Sequence, residues 1–461
     1  MRVLRLELTF SVLSIVPLAA CGGSHADTSE HDGGGGGGSD TGLVPPTRHD
    51  TGTHGSGTGT GGSPDALVLP MKDAGVGEDG GSSDAALPMT DGAHQPQPQV
   101  VTAGGLVLTA PKVQPIVYAS DPLAPDVEAM IQELASTATW AATTSEYGVG
   151  PLTVLPAISI AGTPPATLND NGSPSPFTMN LAAQLSGASP AWGAADPSTI
   201  YAFLLPSGTN IESDGSCCTD YLGYHDEAVV GAVSVPYAIM CNCGVVTGYP
   251  LTALQWVTTT VSHELQEAAT DPFPNSNPAY VQTDNNDLVW TFATGGEIAD
   301  MCEFNSDSNY IPSGATYMVQ RSWSNAAALA GTNPCLPVPP TGPFFNSMPV
   351  FSGLVTADFY GEPAQTRGVQ VPVGASATVD LQLYSQAATS GPWTVSVYDL
   401  NYYTTGGPAA NEVTLNQTTG TSGDVLQLTV KALSAAPNGG GFVVLSTLNG
   451  QQNISMGAVT N

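Results

Sequence analysis

The segment from Leu251 to Pro272 constrains the fold of this chain more than any other. Its apolar residues recur every three or four positions, which is the spacing of one helix face: Leu251, Leu254, Val257, Val261 and Leu265. Pro272 cannot continue a helix and disfavours helical geometry at Asp271, so the helix should end there. We therefore predict one helix with an apolar stripe and a polar face.

The polar face holds a cluster of ionisable residues, which is unusual in a chain with only 10% charged residues. His263 and Glu267 lie four positions apart, so their side chains lie one turn apart on one face and could bind one metal ion. Glu264 points about 100° around the helix, like the glutamate of His-Glu-x-x-His metallohydrolases that deprotonates a metal-bound water. The pattern predicts a metal site with Glu264 as the catalytic base, and an exposed acidic helix face without an ion is the alternative.

A third metal ligand is expected from the later segment Gly295 to Glu303. If a short helix begins here, Glu297 and Asp300 share one of its faces. One carboxylate could then complete the site while the other orients a ligand, although both could instead cap the helix start. Because Glu267 stands where the motif of zinc enzymes has a second histidine, the ligand set is rich in oxygen. Zinc is the expected ion, and calcium or manganese are the alternatives.

The start of the chain predicts export and a lipid anchor. Two arginines precede an apolar run from Phe10 to Leu18, which is too short to cross a bilayer and is typical of a secretory signal. Leu18-Ala19-Ala20-Cys21 resembles a bacterial lipobox, so residues 1–21 are interpreted as a lipoprotein signal peptide with Cys21 as the lipidated residue. The expected location is the bacterial cell envelope, with acyl chains as the membrane anchor. By resemblance to the sorted lipoproteins of Gram-negative cells, Gly22 after the cysteine, rather than Asp, implies the outer membrane or cell surface.

Residues 22–105 are predicted to be a disordered tether rich in Gly, Ser, Asp and Pro, because they carry too few apolar side chains to offset the entropy of ordering. Five of the seven histidines lie in this segment, dispersed among glycines. Only His225 and His263 remain for the rest of the chain. Both histidines are therefore candidates for the functional site.

Residues 106–337 are long enough for one domain with a sizeable core. Strands are predicted at Val113–Ala119, Leu152–Ile160, Ile200–Leu205 and Gly231–Met240, and further helices near Pro125–Leu134 and Pro176–Leu185. Such a mixture of strands and helices, ending in the helix that carries the candidate ligands, predicts an α+β fold.

Six cysteines besides Cys21 lie in this domain: Cys217, Cys218, Cys241, Cys243, Cys302 and Cys335. The Cys241-Asn242-Cys243 spacing does not match a zinc knuckle, and an exported protein meets oxidising conditions, so disulfides are favoured over zinc binding. We predict a Cys302–Cys335 bridge and two bridges that join the 217/218 pair to the 241/243 pair.

Several motifs occur in a fixed order along residues 106–337: Trp140-Ala141-Ala142-Thr143-Thr144-Ser145-Glu146-Tyr147-Gly148-Val149-Gly150, Gly223-Tyr224-His225, Cys241-x-Cys243, Ser262-His263-Glu264-Leu265-x-Glu267-Ala268, Thr270-Asp271-Pro272, Glu297-Ile298-x-Asp300-x-Cys302 and Trp323-Ser324-Asn325. Together they resemble the phosphate-induced protein/EXORDIUM-like family of plant extracellular proteins and their bacterial relatives. The resemblance implies a secreted, cysteine-bridged domain and does not define a reaction. The likeness of its His-Glu-x-x-Glu helix to that of zincins implies a zincin-like domain of mixed sheet and helix. His225 matches a family motif position, so it is an expected extra ligand or catalytic proton donor.

The remainder of the chain is predicted to be a Pro-rich hinge, 338–349, and an antiparallel β-sandwich, 350–461. Short alternating runs separated by turn residues favour this fold, at Gly368–Val373, Ala377–Tyr384, Trp393–Tyr398, Val425–Val430 and Phe442–Ser446. This part has no histidine or cysteine, so the chemistry is expected in the central domain.

The charge balance limits the partners. Eight Lys and Arg stand against 39 Asp and Glu, for a net charge of −31, which excludes nucleic acid because phosphate binding needs a basic surface. Anionic lipid head groups would also repel the chain, so membrane attachment must come from acylation.

The leading hypothesis is a cell-surface, metal-dependent hydrolase of the zinc-peptidase type, acting on a peptide or a cell-surface polymer. His263, Glu267 and one of Glu297 or Asp300 would bind the ion, and Glu264 would act as base. A non-catalytic adhesion or signalling protein with a structural metal site is the alternative. A weaker alternative is a carbohydrate-active protein with Glu264 and Glu297 as paired carboxylates.

Overall fold

The computed structural model describes residues 21–22, 94–213, 215–245, 251–339, 342–359, 362–436 and 440–461. Apart from the backbone of Cys21 and Gly22, the signal-peptide prediction and the tether prediction up to residue 93 fall outside these residues. In the part of the chain that is described, no helix combines the length and the apolar character needed to cross a bilayer. The α+β class is confirmed, with the C-terminal part almost entirely β.

A mixed sheet forms the centre of the first domain. Its strands are β1 (Cys21–Gly22), β2 (Lys112–Tyr118), β3 (Thr153–Val154), β4 (Ile158–Ile160), β5 (Thr199–Leu205), β6 (Gly223–Val230) and β7 (Val233–Cys241). The order across the sheet is β1-β6-β7-β5-β2-β3, and β4 also pairs with β2. Every pairing is parallel except that of β6 with β7, which is an antiparallel hairpin.

Helices cover both faces of this sheet. The helices of the domain are α1 (Ala124–Ser136), α2 (Ala138–Thr144), α3 (Pro176–Leu185), α4 (Ala253–Thr270), α5 (Leu288–Thr294), α6 (Asp300–Glu303) and α7 (Asn325–Leu329). Alternate residues of β5 enter two different cores: Ile200, Ala202 and Leu204 pack with α1 and α4, whereas Tyr201, Phe203 and Leu205 pack with α3. Burial on both faces explains why β5 has a continuous apolar sequence rather than an alternating one.

The helix α4 matches the prediction closely, from Ala253 to Thr270, with Asp271 outside helical geometry. Thr252 and Gln255 form a capping box at its start. The β-branched run Thr258 to Thr260 is tolerated because these hydroxyls donate hydrogen bonds to carbonyls one turn earlier. Every residue from Trp256 to Thr270 is buried, so the helix has no exposed polar face. The alternative of a solvated acidic face is therefore wrong.

Three disulfides are present, Cys217–Cys241, Cys218–Cys243 and Cys302–Cys335, and they confirm the predicted pairings. The first two link the loop before β6 to the end of β7, and the third links α6 to the strand Cys335–Leu336. Such bonds are compatible with an extracellular or surface location, where oxidising conditions maintain them. Each disulfide also restricts the unfolded chain, which stabilises the fold by about 2–4 kcal/mol.

The C-terminal domain is a two-sheet sandwich that also contains the short helix α8 (Leu400–Thr405). Its strands are β8 (Phe345–Val350), β9 (Leu354–Phe359), β10 (Glu362–Gln370), β11 (Ser376–Ser385), β12 (Trp393–Asp399), β13 (Asn411–Leu415), β14 (Thr419–Gly420), β15 (Val425–Ala432), β16 (Gly440–Leu448) and β17 (Gln451–Thr460). One sheet has the order β8-β11-β15-β13 and the other β9-β10-β17-β16-β12-β14. Apolar residues of both sheets form one core. The sandwich is not wholly antiparallel, because β10 and β17 run parallel.

The predicted hinge, 338–349, is too long, because β8 already begins at Phe345. The two domains also share a core, in which Trp290 and Met301 of the first domain pack in one cluster with Val443 and Met456 of the second. Two domains that share an apolar core are not expected to move independently about a hinge.

The predicted tether, 22–105, is also too long at its C-terminal end. Val100–Val101 pairs with Gln282–Thr283 as a two-stranded ribbon, and the backbone of Val100 exchanges hydrogen bonds with the Asn325 side chain. His94 stacks on Tyr384 of the sandwich, with ring centroids 3.6 Å apart. The composition of this segment could not reveal that it is ordered, because the residues that form hydrogen bonds with its backbone lie far away in the sequence.

Candidate metal centre

Glu267 joins α4 to the segment that follows α5. One of its carboxylate oxygens, Oε1, accepts hydrogen bonds from the backbone amides of Ala299 (3.1 Å) and Asp300 (3.2 Å), at the start of α6. Gln320 supports the same turn, because its side chain donates to the Ala299 carbonyl and its backbone amide donates to Ser262 of α4. These contacts bring Asp300 next to α4 although 33 residues separate it from Glu267 in sequence.

His263, Glu267 and Asp300 converge in a buried cluster, which we call the first cluster. Nε2 of His263 lies 2.9 Å from Oε2 of Glu267 and 3.5 Å from Oδ1 of Asp300. Neither the His263 nitrogen nor the Glu267 oxygen makes a hydrogen bond with the described residues, because their alignment is wrong for one. One donor atom from each of the three side chains lies within 4.8 Å of the other two. The helical spacing thus places two donors as predicted, and Asp300 is the third.

His225 and Glu297 lie together, apart from His263. His225 is on β6, and its Nδ1 lies 3.8 Å from Oε2 of Glu264 while its Nε2 lies 3.6 Å from Oε1 of Glu297. Glu297 is in the turn before α6 rather than within a helix, so it does not share a helical face with Asp300 as predicted. The two carboxylates are therefore directed to different histidines.

Asp271, which the helical pattern identifies only as the end of α4, also belongs to this region. Its Oδ1 accepts a hydrogen bond from the Ala279 amide at 2.6 Å, and it is fully buried. A donor atom of Asp271 lies within 4.8 Å of donor atoms of His225 and Glu297. The sequence contains one signal that Asp271 could be a ligand. It is an acidic residue one turn beyond Glu267 and directly before Pro272.

Hydrogen bonds on the opposite face of β6 help to fix the orientation of His225. The hydroxyl groups of Tyr224 and Tyr237 both donate to Oδ2 of Asp170, at 2.6 and 2.7 Å. Because side chains alternate along a strand, this network lies on the side of the sheet opposite His225. His225 thereby faces α4, which packs on β6 and β7.

Buried carboxylates outnumber the basic side chains in this region. Five buried carboxylates surround two histidines: Glu264, Glu267, Asp271, Glu297 and Asp300. The four Lys and Arg of the described residues are paired elsewhere, in Lys112–Asp196, Arg321–Asp307, Arg367–Asp287 and Lys431–Glu412. Even with both histidines protonated, the carboxylates would carry three uncompensated negative charges. Burying such charge is costly unless protons or cations neutralise it.

The pKa values of the cluster reflect this imbalance. Burial, with the charge of Glu267 next, raises the pKa of Glu297 well above its usual range. Burial raises the pKa of Glu264 and also that of Asp271, the latter to about 6. Burial alone would lower the pKa of His263, but the neighbouring carboxylates, Glu267 foremost, raise it well above its ordinary value. Several protons or an ion are therefore needed to keep this site folded near neutral pH.

A cavity lies against the first cluster. It is lined by Leu222, Gly223, Trp256, Thr259, Thr260, His263, Glu264, Glu303, Asn309 and Gln320. His263 and Glu264 thus face a space that a small part of a substrate could enter. Glu264 approaches closely because its neighbour across the cavity is Gly223, where a Cβ atom would lie 2.7 Å from Oε1 of Glu264.

The donor set of the first cluster fits a divalent cation. One imidazole and two carboxylates supply three ligands, and catalytic zinc sites keep three protein ligands and one position for water. Glu267 has the backbone hydrogen bonds that fix a ligating carboxylate in place. A carboxylate-rich set also accommodates manganese.

Gly295 gives a first test of this geometry. Its φ of +125° and the position of the Asp300 carboxylate leave no room for a side chain, since a Cβ atom there would overlap Oδ2 of Asp300. Gly295→Ala should displace Asp300 and weaken cation binding by about 10- to 100-fold, as changes around metal ligands commonly do. Competition with a chromophoric chelator measures this affinity.

Gly314→Ala is the matched control for that variant. Gly314 also has a positive φ, +81°, but no atom lies within 4 Å of its Cβ position. Gly314→Ala therefore has the same kind of backbone strain as Gly295→Ala but lacks the steric conflict with Asp300. Equal cation affinity in the two variants would contradict the assigned position of Asp300.

Comparisons with known proteins give little further guidance. No family model matches the chain, and no curated protein matches it. The S-layer protein rSbsC(31-844) is similar over 24% of this chain and 13% of its own length, with 17% identity and a TM-score of 0.16. The titin M3 domain is similar over 24% of this chain and 94% of its own, with 13% identity and a TM-score of 0.15. The chain thus spans only a small part of the S-layer protein, and likenesses this slight carry no conclusion about fold or function.

Proposed function

We propose that this protein is a lipid-anchored, cell-surface metal-dependent hydrolase of the zinc-peptidase type. The observation that carries the proposal is the convergence of His263, Glu267 and Asp300 in one buried cluster, with Glu264 beside it on the same cavity. The lipid anchor at Cys21 is supported by the lipobox-like sequence, and the peptide substrate by the similarity of α4 to the helix of His-Glu-x-x-His peptidases.

The residues of the site have separate roles in this proposal. A divalent ion held by the first cluster would lower the pKa of a bound water to near 7 and polarise the substrate carbonyl. Glu264 would act as the general base and acid: its carboxylate would hold the proton given up by the attacking water and would pass that proton to the leaving amine. His225, whose Nδ1 lies 3.8 Å from Oε2 of Glu264, favours the charged form of this carboxylate when its ring is protonated.

A zincin-like architecture for the central domain is part of the proposal. It is supported by the position of α4, which carries the His-Glu-x-x-Glu motif and packs on a mixed sheet whose strand β6 is antiparallel to β7. Membership of the phosphate-induced protein/EXORDIUM-like family is likewise proposed on the ordered motifs alone.

Elemental analysis of the lipidated protein, purified without added metal or chelator, tests the proposal directly. We expect at least one equivalent of a divalent metal, with zinc first. We also expect cleavage of members of a fluorogenic peptide library, lost on chelation and restored by zinc. Asp300→Asn should lose metal and cleavage together, whereas Asp380→Asn, an exposed change on β11, should keep both.

Two results would count against this function. Metal contents well below one equivalent in folded protein would remove its basis. Stoichiometric metal without cleavage of any peptide would favour the non-catalytic alternative, an adhesion or signalling protein with a structural ion.

A further inference from the structure

A second group of ligand-type side chains lies beside the first cluster. His225 of β6, Asp271 at the end of α4 and Glu297 before α6 come from three separate elements. One donor atom from each lies within 4.8 Å of the other two, and Nε2 of His225 lies 3.6 Å from Oε1 of Glu297. We call this group the second cluster.

His225 is the observation that distinguishes this group from an ordinary acidic patch. Only 1% of the residue is exposed, and neither ring nitrogen makes a hydrogen bond with any described residue. Oδ2 of Asp271 is also buried and makes no hydrogen bond with the described residues. A buried imidazole without hydrogen bonds loses the solvation of both nitrogens, which costs free energy unless another partner is bound. A metal ion is such a partner for a neutral imidazole.

Charge balance argues for more than one cation. A single divalent ion in the first cluster would leave the five carboxylates with an excess of three negative charges when the histidines are neutral. A second divalent ion would reduce this excess to one. The described lysines and arginines are all paired elsewhere and cannot supply this charge.

The position of Glu267 links the two clusters. Donor atoms of Glu267 lie within 4.8 Å of those of His263 and Asp300, and also within 4.8 Å of those of His225 and Glu264. Carboxylates that lie between two ligand groups can bridge two ions, and two-metal hydrolases keep their ions about 3.5–4 Å apart.

We propose that His225, Asp271 and Glu297 bind a second divalent ion, so that the site is binuclear. One imidazole and two carboxylates suit zinc or manganese. This inference rests on the proposed function, because the second ion is placed beside the catalytic one, where it would stabilise charge on the attacking and leaving groups.

Metal titration of the full chain with Zn²⁺ or Mn²⁺ tests the proposal, with isothermal calorimetry and elemental analysis as readouts. The natural protein should bind two ions. Asp271→Asn should bind one, because the amide oxygen can still accept the Ala279 hydrogen bond while the anionic ligand is lost. Glu297→Gln is the second variant in case the first does not fold, and it should also bind one ion.

Electron paramagnetic resonance of the Mn²⁺-loaded natural protein gives a readout that needs no variant. Two ions within about 4 Å should give a spin-coupled spectrum, whereas isolated ions give the six-line pattern of one Mn²⁺. One bound ion in the natural protein, unchanged in Asp271→Asn and Glu297→Gln, would overturn the binuclear proposal and leave the mononuclear hydrolase standing. If Asp300→Asn were the only one of these variants to lose the ion, the remaining site would be the first cluster.

Discussion

Glu264→Gln is expected to lower kcat for peptide hydrolysis by about 10²- to 10⁴-fold, the usual contribution of general acid–base catalysis. Glutamine has nearly the same shape as glutamate but cannot accept the proton of the attacking water. Glu264 lies on the cavity beside His263 and does not belong to the first cluster, so metal should be retained. The loss should therefore appear in kcat while the metal content stays unchanged.

The measurement combines steady-state kinetics on a cleaved peptide with elemental analysis of the same sample. Glu412→Gln is a suitable control because Glu412 is an exposed partner of Lys431 in the sandwich domain. It should leave kcat and metal content at their natural values. Unchanged hydrolysis in Glu264→Gln would exclude Glu264 as the base, whatever the metal content.

Removal of the metal is expected to lower the melting temperature of the protein by about 10 °C. A ligand present at 1,000 times its Kd stabilises the native state by about 4 kcal/mol, and in domains of about 150–250 residues each kcal/mol shifts the melting temperature by about 2–4 °C. The effect should be large because the ion neutralises buried carboxylates that no described lysine or arginine contacts.

Calorimetry with and without EDTA, followed by refilling with Zn²⁺, measures this shift. His263→Gln should start with the lower melting temperature and respond less to EDTA than the natural protein, whereas Glu412→Gln should respond like the natural protein. The stabilisation by metal should shrink at pH 5, because protons compete for the histidine and carboxylate ligands. Identical melting curves with and without EDTA would show that the five carboxylates are neutralised by protons instead.

The helix α4 and the proximity of His263 to Glu267 were predictable because they depend on local spacing. The apolar interval and the break at Pro272 gave the helix to within two residues at its start, and the i, i+4 rule placed His263 and Glu267 together. The bridge Cys302–Cys335 was also predicted and is present. What spacing could not reveal was that α4 is buried on all sides, since that depends on which elements cover it.

The spacing of the candidate ligands could not predict which carboxylate lies near which histidine. Glu297 and Asp300 are three residues apart and looked interchangeable, yet one lies near His225 and the other near His263. The reason is that α6 begins only at Asp300, where two amides bind Glu267, so the preceding turn directs Glu297 elsewhere. Residues 94–105 were misjudged for a related reason, because their backbone partners lie at 282–283 and 325.

The sequence by itself determined the periodic helix, several apolar strands, the Cys302–Cys335 bridge and the identity of residues able to bind a cation. These properties follow from side-chain type and from intervals of a few residues, which fix local geometry. Only the tertiary structure decided that β6, the end of α4 and the start of α6 meet, and that Asp271 joins His225 there. The order of the strands and the positions of the loops depend on contacts between residues that are distant in sequence. The free energy of these contacts cannot be inferred from a local sequence pattern.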